Sequence, residues 1–226
     1  MQENQVTKIE ENINLPFNVP TLNERAAEQL NGIKMEYPQL KIPAAGQLFF
    51  EVDEEPVKEV TGVIVYHGPR SMYYATDFDG SNNPPDCSSN DGITGYKRID
   101  ADDGETEYEK CNCADCEFSK FGSDRKGAGK ACKEKHQLYV LCSGKLVPFS
   151  FLLPVSSTGV FNTYVTKLFS RGKFVDEVLT SITLEKATSK SNIVYSKIIL
   201  KCVRDLTPEE CEVAQKQGKL VKENLQ

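Results

Sequence analysis

The sequence predicts a β-rich α+β protein, a small barrel or curved antiparallel sheet with a few short helices and a cysteine-rich insertion. Three observations support this fold class. Segments rich in β-branched residues recur on both sides of the middle of the chain, helical periodicity is confined to short stretches, and five of the eight cysteines fall between residues 68 and 135. At roughly 150 residues per domain, a chain of 226 residues fits one domain with an elaborate insertion.

The first part of the chain contains an arm, a helix and two strands. Residues 1–20 are polar and are expected to form a flexible arm, so residues 21–226 make up the predicted domain. A capping-box spacing, S/T-x-x-E, precedes a short helix expected over 22–31. Strands are expected near 46–53 and 59–66, and the second of these is rich in the β-branched residues that favour strands.

The predicted insertion at about 68–135 has a different composition. It is rich in glycine, aspartate, serine and asparagine, contains two adjacent prolines, and lacks a long hydrophobic periodicity. Such a segment cannot build an ordinary apolar core, so another interaction must order it. The five cysteines make a bound metal ion the leading candidate.

Regular structure is expected to return with a hairpin whose strands lie at 137–142 and 146–153 and turn at Ser143-Gly144. A helix capped by Ser157 or Thr158 should follow and end at Gly172. Its apolar residues have helical spacing and are Phe161, Tyr164, Val165, Leu168 and Phe169.

Two further strands and a final helix complete the expected elements. The strands lie near 175–185 and 192–203. Thr207-Pro-Glu-Glu210 forms a capping box with proline at the first helical position, which predicts a helix to about residue 217.

Charge and composition restrict the function classes. The net charge of −6 counts against a nucleic-acid-binding protein, but residues 120–135 hold six lysines and arginines, and a local field can attract phosphate. No apolar run approaches the roughly 20 residues of a membrane span. The polar, acidic N-terminal segment has neither signal-peptide nor transit-peptide character, so we expect a cytoplasmic protein without a membrane partner.

Four cysteines have the spacing of a structural zinc site. Cys113 and Cys116 form a C-x-x-C pair, which places two thiolates on one tight turn. Cys87 and Cys132 lie on turn-forming segments on either side and can complete a tetrahedral shell. We therefore predict a structural zinc ion bound by Cys87, Cys113, Cys116 and Cys132, with no open position for catalysis.

Other interpretations of the cysteines stay open at this stage. Disulfides are disfavoured in a cytosolic chain, and a redox C-x-x-C needs a thioredoxin-like βαβ setting that the pattern lacks. An iron–sulfur cluster uses the same ligands. Cys111 could replace Cys87 or Cys113, and His136 is a further possible ligand, although a surface position is expected for it. The remaining cysteines are expected in the core: Cys142, Cys202 and Cys211.

No catalytic motif is present in the sequence. It lacks a Walker motif, a dinucleotide fingerprint, H-E-x-x-H and G-x-S-x-G. Two histidines offer little for acid–base chemistry. We expect a binding protein and not an enzyme, with no small-molecule substrate.

Basic and aromatic residues alternate around the cysteines. Proteins that bind single strands combine a positive groove with aromatic faces on which bases stack, although aromatics on strands more often belong to the core. The candidate nucleic-acid contacts are Lys120, Arg125, Lys126, Lys130, Lys133, Lys135, Tyr73 and Phe121.

The run from Cys113 to Lys133 contains Phe121-Gly-Ser123 and Gly127-Ala-Gly-Lys-Ala-Cys132. This run resembles a group of phage and mobile-element proteins regarded as single-stranded DNA-binding. The resemblance covers roughly residues 85–200. It implies an OB-like barrel with a zinc-bearing insertion, zinc on the four predicted cysteines, and Lys130 and Lys133 near the DNA path. It also implies a role in DNA replication or recombination, with proteins of those processes as partners, in the host cell cytoplasm.

Two departures from that group bear on the ligand set and on the recruitment of replication enzymes. Cys111 is an additional cysteine, and the C-terminal KLVKENLQ is not the acidic tail with which many replication single-strand binders recruit partners. The acidic stretch at 100–109 and the net charge favour a zinc-stabilised protein–protein interaction module, such as a transcription-complex component or an inhibitor of host defence.

Overall fold

The computed structural model describes most of the chain beyond residue 35, namely residues 36–43, 46–52, 55–77, 83–100, 106–189, 192 and 194–225. The predicted arm at 1–20 and the predicted helix over 22–31 lie outside these residues. The chain divides into two compact units. The first unit comprises residues 1–67 and 138–226, and the second unit comprises residues 68–137.

The elements of the described residues confirm a β-rich α+β protein with a mostly antiparallel sheet. The strands are β1 (Phe50–Val52), β2 (Glu55–Val57), β3 (Glu59–Tyr73), β4 (Cys87–Ser89), β5 (Thr94–Asp100), β6 (Thr106–Asn112), β7 (Lys133–Cys142), β8 (Phe149–Leu153), β9 (Val178–Thr188) and β10 (Val194–Asp205). The helices are α1 (Val155–Phe169) and α2 (Pro208–Asn224), with short 3₁₀ turns at Glu117–Ser119 and Val175–Glu177. Within the described residues these strands do not close into a barrel. No helix of the described part is both long enough and apolar enough to cross a bilayer.

In the first unit, β9 lies between β10 and β3, and β7 pairs with both β3 and β8. Ile182 of β9 is opposite Leu200 of β10 and Val60 of β3. The predicted hairpin between β7 and β8 is confirmed, and Gly144 in its turn has a φ of +70°, which glycine adopts without strain.

Strand β3 is buried on both faces, which explains its continuous apolar run. Successive side chains of a strand point to opposite faces. Ile64 accordingly packs in one core cluster with α1, whereas Val63 and Val65 pack in a second cluster with α2.

Helix α1 begins earlier than the sequence suggests. Pro154 is the N-cap, and neither Ser157 nor Thr158 caps the helix. Ser157 is buried inside the helix, where its hydroxyl oxygen accepts a hydrogen bond from the backbone N–H of Ile198 at 3.3 Å. Ser157 therefore makes a tertiary hydrogen bond to β10 and does not cap the helix as the local sequence predicts.

Four of the five residues predicted on the apolar face of α1 pack in the core, and the fifth does not. Phe161, Tyr164 and Leu168 are buried and Val165 is half-buried against the same cluster, but Phe169 is 65% exposed. Phe169 is eight residues after Phe161, and at 100° per residue it lies about 80° around the helix from it. The helix also ends there, so the ring lies at the margin of the packed surface.

Helix α2 has the predicted capping box and extends beyond the predicted end. The Thr207 hydroxyl accepts from the Glu210 N–H at 3.3 Å, and the Glu210 carboxylate accepts from the Thr207 N–H at 2.9 Å. The helix continues through Gly218 to Asn224. A Cβ at Gly218 would lie 2.1 Å from the carbonyl oxygen of Val65, so glycine is required there for the helix to approach the sheet.

The second unit has little apolar interior. Among its described residues, Met72 is the one buried apolar side chain, and none of these residues belongs to either core cluster. Its strand order is β3, β4, β5 and β6, so β6 lies at the edge. As the composition indicates, apolar burial alone does not account for the order of this unit.

Candidate metal centre

The turn between β4 and β5 is built around the Asp91 side chain. One oxygen of its carboxylate accepts hydrogen bonds from the backbone N–H groups of Ile93 at 2.8 Å and Thr94 at 2.7 Å, and from the Ser89 hydroxyl at 2.9 Å. Gly92 in the same turn has a φ of +72°. This geometry returns the chain as β5 beside β4.

Gly95 of β5 provides the space in which cysteine sulfurs meet. It is directly opposite Cys111 in the β5–β6 register. A Cβ at Gly95 would lie 2.7 Å from the sulfur of Cys111, 3.3 Å from that of Cys87 and 3.5 Å from that of Cys113. Three thiols therefore surround one point at which the chain has no side chain.

The C-x-x-C segment forms a hydrogen-bonded turn next to β6. The Cys113 N–H donates to the Ile93 carbonyl at 2.8 Å, and the Cys116 N–H donates to the Cys113 carbonyl at 3.4 Å. The Ser119 hydroxyl lies 2.9 Å from the carbonyl oxygen of Cys113 and 2.7 Å from that of Cys116. Both cysteines of the predicted pair are thus held on one turn.

Cys132 joins the cluster through the 3₁₀ turn, because its N–H donates to the Phe118 carbonyl at 2.9 Å. All five cysteines of the second unit line one cavity of about 970 Å³, and they are Cys87, Cys111, Cys113, Cys116 and Cys132. All five are free thiols of intermediate burial. His136 is not among the residues that line this cavity.

The thiols affect one another electrostatically. The pKa of Cys87 is raised to about 12, mainly by burial and next by the neighbouring Cys111. The pKa of Cys132 is raised to about 11, mainly by burial and next by Cys116 and Cys113. Several thiolates in this space would repel one another, and a bound cation would offset that repulsion, as it does at thiolate metal sites.

The donor set fits a thiophilic ion. The sulfurs of Cys87 and Cys111 are 3.9 Å apart. A tetrahedral zinc with Zn–S bonds of about 2.3 Å has sulfurs about 3.8 Å from one another. Even so, no group of three or more His, Cys, Asp or Glu side chains has metal-holding geometry within the described residues. The remaining thiols would have to move inward for a full shell to form.

The predicted nucleic-acid contacts are partly brought together. Four of them line a second cavity of about 530 Å³ in the same unit, namely Tyr73, Arg125, Lys126 and Lys133. Tyr73 stacks on Phe118 with ring centroids 4.1 Å apart and an interplanar angle of 12°, so one face of its ring is covered. Phe121 is 81% exposed, and the Lys130 ammonium lies 5.2 Å from the centre of its ring.

Three of the six predicted basic contacts are paired with carboxylates. Lys126 pairs with Asp77 at 2.9 Å and Lys130 pairs with Glu134 at 2.7 Å. The third pair joins Lys133 to Asp124. Burial lowers the pKa of Lys135, whereas Lys120 and Arg125 are exposed. The local positive field is therefore weaker than the count of six basic residues suggests.

Sequence reasoning gave Cys111 only as an alternative ligand, assigned no role to Gly95, and counted Phe118 only among the aromatic residues near the cysteines. The register of β5 against β6 brings the first two together, and register is not visible in cysteine spacing. A glycine inside a predicted strand often marks a site where another group approaches the backbone closely, and this signal could have drawn attention to Gly95.

Comparison with known protein families, with curated proteins and with solved structures finds no match to this chain.

Proposed function

We propose that this protein is a zinc-stabilised, sequence-tolerant single-stranded DNA-binding protein and not an enzyme. The observation that carries the proposal is the position of Phe121. Its ring is 81% exposed, has a lysine ammonium above it, and is part of the same compact unit as the five clustered thiols. An exposed ring beside cations is the combination on which single-stranded bases stack.

Zinc has a structural role in this proposal. Cys87, Cys113, Cys116 and Cys132 would bind the ion, because they are the four cysteines of the resemblance and all line one cavity. The second unit has so little apolar interior that the free energy of metal binding would supply much of its folding free energy. Lowering the metal content should therefore unfold this unit first.

The DNA phosphates would be contacted by the exposed cations next to Phe121. Lys120 and Arg125 are exposed and lie within five residues of that ring in the sequence. The lysines paired with Asp77, Glu134 and Asp124 would contribute less, because each already has a carboxylate partner.

The test is fluorescence anisotropy of zinc-loaded protein with labelled single-stranded and duplex oligonucleotides across a salt series. We expect salt-dependent binding to the single strand that is weaker for duplex. Phe121→Ala should weaken binding by roughly 5- to 100-fold, as expected for one stacked base. Arg125→Glu should also flatten the salt dependence, because fewer counterions are released.

Tyr108→Ala is the matched control, because it removes an exposed aromatic ring from β6 in the same unit. Zinc content and circular dichroism should be measured for every variant. Absence of binding at low salt by a folded, zinc-loaded protein would refute the proposal.

One observation favours a second candidate, a protein–protein interaction module. Strand β6 lies at the edge of its sheet, and six of its seven residues are exposed. Tyr108 on β6 and Ile99 on β5 are exposed as well. An exposed edge strand can pair with a strand of a partner protein. Capture of a protein partner at high salt that Tyr108→Lys abolishes, without DNA binding, would select this candidate.

An OB-like arrangement, a phage or mobile-element origin, replication or recombination partners and a cytoplasmic location belong to the same proposal. They rest on the resemblance of residues 85–200.

A further inference from the structure

Phe121 lies on a loop that begins and ends at cysteines of the thiol cavity. Cys116 precedes residues 117–131 and Cys132 follows them, and both cysteines line the cavity. All of residues 117–131 are described by the structure, and none of them is buried. Because apolar burial contributes little here, the conformation of this Phe121 loop (residues 117–131) depends on hydrogen bonds and on how its two ends are held.

Hydrogen bonds connect the two arms of the Phe121 loop. The N–H of Gly122 donates to the Gly129 carbonyl at 2.9 Å. The N–H of Ala131 donates to the Ser123 hydroxyl oxygen at 2.9 Å. These bonds determine where the Phe121 ring lies between the arms.

Phe118 joins the loop to the cysteines. Its carbonyl oxygen accepts a hydrogen bond from the Cys132 N–H at 2.9 Å and another from the Ser123 hydroxyl at 3.0 Å. Its ring stacks on that of Tyr73, which is opposite Cys87 in the β3–β4 register. The residue that holds the loop is therefore in contact with one proposed zinc ligand and with the strand partner of another.

One ion bound by both Cys116 and Cys132 would hold the ends of the loop together. Thiolates on one tetrahedral zinc lie about 3.8 Å apart. Such a link removes the conformational freedom of separated ends, as loop closure does in general. Metal binding would therefore favour the hydrogen-bonded conformation of the Phe121 loop over open conformations.

We propose that the metal ion acts as a switch for the Phe121 loop, so that metal occupancy and single-strand binding are coupled in both directions. The inference rests on the proposed function. Because equilibrium coupling is reciprocal, a bound oligonucleotide would raise the zinc affinity by the same factor by which zinc raises the oligonucleotide affinity. The protein would bind single strands when zinc is available and release them when zinc is scarce.

Hydrogen exchange tests the first step without nucleic acid. Amide exchange of peptides covering residues 117–132 should be slow in the zinc-loaded protein and at least about tenfold faster after a chelator removes the zinc. Peptides from α1 should exchange at the same rate in both states, because that helix packs in the apolar core of the first unit. Equal exchange of residues 117–132 in the two states would refute the switch.

Chelator competition tests the coupling itself. The zinc affinity of the wild-type protein should rise by about 5- to 150-fold when a single-stranded oligonucleotide is present at saturation. Anisotropy titrations of zinc-loaded and zinc-depleted protein should give the same factor for the oligonucleotide affinity. An unchanged zinc affinity in the presence of a bound oligonucleotide would overturn the proposal.

Ser123→Ala separates the conformation of the loop from the loss of zinc. It removes the hydroxyl that bonds Phe118, Lys120 and Ala131, and it leaves every cysteine in place. We expect an unchanged zinc content, weaker single-strand binding and a coupling factor closer to one. Ser170→Ala is the matched control, because it removes an exposed hydroxyl with a similar backbone contact at the end of α1, and it should change none of these quantities. Wild-type coupling in Ser123→Ala would refute the loop as the connecting element.

The outcomes separate this inference from the proposed function. If the wild-type protein binds single strands equally well with and without zinc, the switch is refuted and single-strand binding stands. If the folded, zinc-loaded protein binds no single strand, both are refuted.

Discussion

The sulfur of Cys111 lies 3.9 Å from the sulfur of Cys87, although the two residues are on strands that are not neighbours. Strand β5 separates β4 from β6, and two strand spacings amount to about 9–10 Å. A disulfide needs Cα atoms within about 7 Å. At that backbone separation, a disulfide between Cys87 and Cys111 would require movement of the strands.

Removing one cysteine at a time should identify the zinc ligands. Cys116→Ala should lower zinc to near zero per chain, because it removes half of the C-x-x-C pair. Cys111→Ser should retain about one zinc, because the other four cysteines of the cavity can complete the shell. Elemental analysis of purified protein measures both values. Retention of zinc by Cys116→Ala together with its loss in Cys111→Ser would assign Cys111 as the ligand instead.

Adding a methyl group at Gly95 should disturb the thiol cluster. In Gly95→Ala the Cβ would lie 2.7 Å from the Cys111 sulfur, so zinc affinity should fall by about tenfold or more and the unit should lose about 1–3 kcal/mol of stability. Competition with a zinc chelator measures the affinity. Gly127→Ala is the control, since a Cβ there would meet nothing within 4 Å. Equal zinc affinity in the two variants would contradict the described packing.

Two glycines in helices should respond to alanine in opposite ways. Gly218→Ala should destabilise the protein by several kcal/mol, because its Cβ would lie 2.1 Å from the Val65 carbonyl oxygen. Gly159→Ala in α1 should stabilise it by about 0.5–1 kcal/mol, because a Cβ there would meet nothing within 4 Å and alanine favours helix. Urea unfolding gives both values. Stabilisation by Gly218→Ala would show that α2 does not approach β3 as described.

The ion pair at the start of α2 should make stability depend on pH. Arg204 donates two hydrogen bonds of 2.6 Å to the buried Glu210 carboxylate and thereby lowers its pKa. A carboxyl group whose pKa is lower in the folded protein stabilises the fold at pH values above its unfolded-state pKa. This stabilisation is lost as the pH falls through its folded-state pKa.

Glu210→Gln should therefore cost stability at neutral pH, at the low end of about 1.5–3 kcal/mol because Arg204 is partly exposed. The difference from the wild type should shrink as the pH falls below about 4.5. Unfolding curves measured from pH 3 to pH 7 check this. A difference that stays constant over that range would remove Glu210 as its source. Glu212→Gln is the control, because its exposed side chain lies on the same helix and makes a surface ion pair with Lys216 at 3.0 Å, which contributes little to stability.

Local chemistry was sufficient to predict several elements. The capping box at Thr207 and Glu210 involves residues three apart, so its hydrogen bonds form within one turn and are encoded in the sequence itself. The β-branched run in β3 and the alternation in the β7–β8 hairpin likewise have local signals. The C-x-x-C pair of Cys113 and Cys116 belongs to the same class, because a short turn determines its geometry.

Other features depended on which distant segments came together. Cys111 reached the thiol cavity because of strand register, and Ser157 bonded Ile198 rather than capping α1. Gly218 lies within α2, where the adjacent strand β3 leaves room only for hydrogen, and does not end the helix. Phe169 is exposed because it lies about 80° around α1 from the buried Phe161, in the last turn of the helix. The sequence by itself therefore determined the fold class, the capping box of α2 and the C-x-x-C turn. Only the tertiary structure decided which thiols and rings share a space, since those contacts join residues far apart in the chain, and local periodicity contains no information about them.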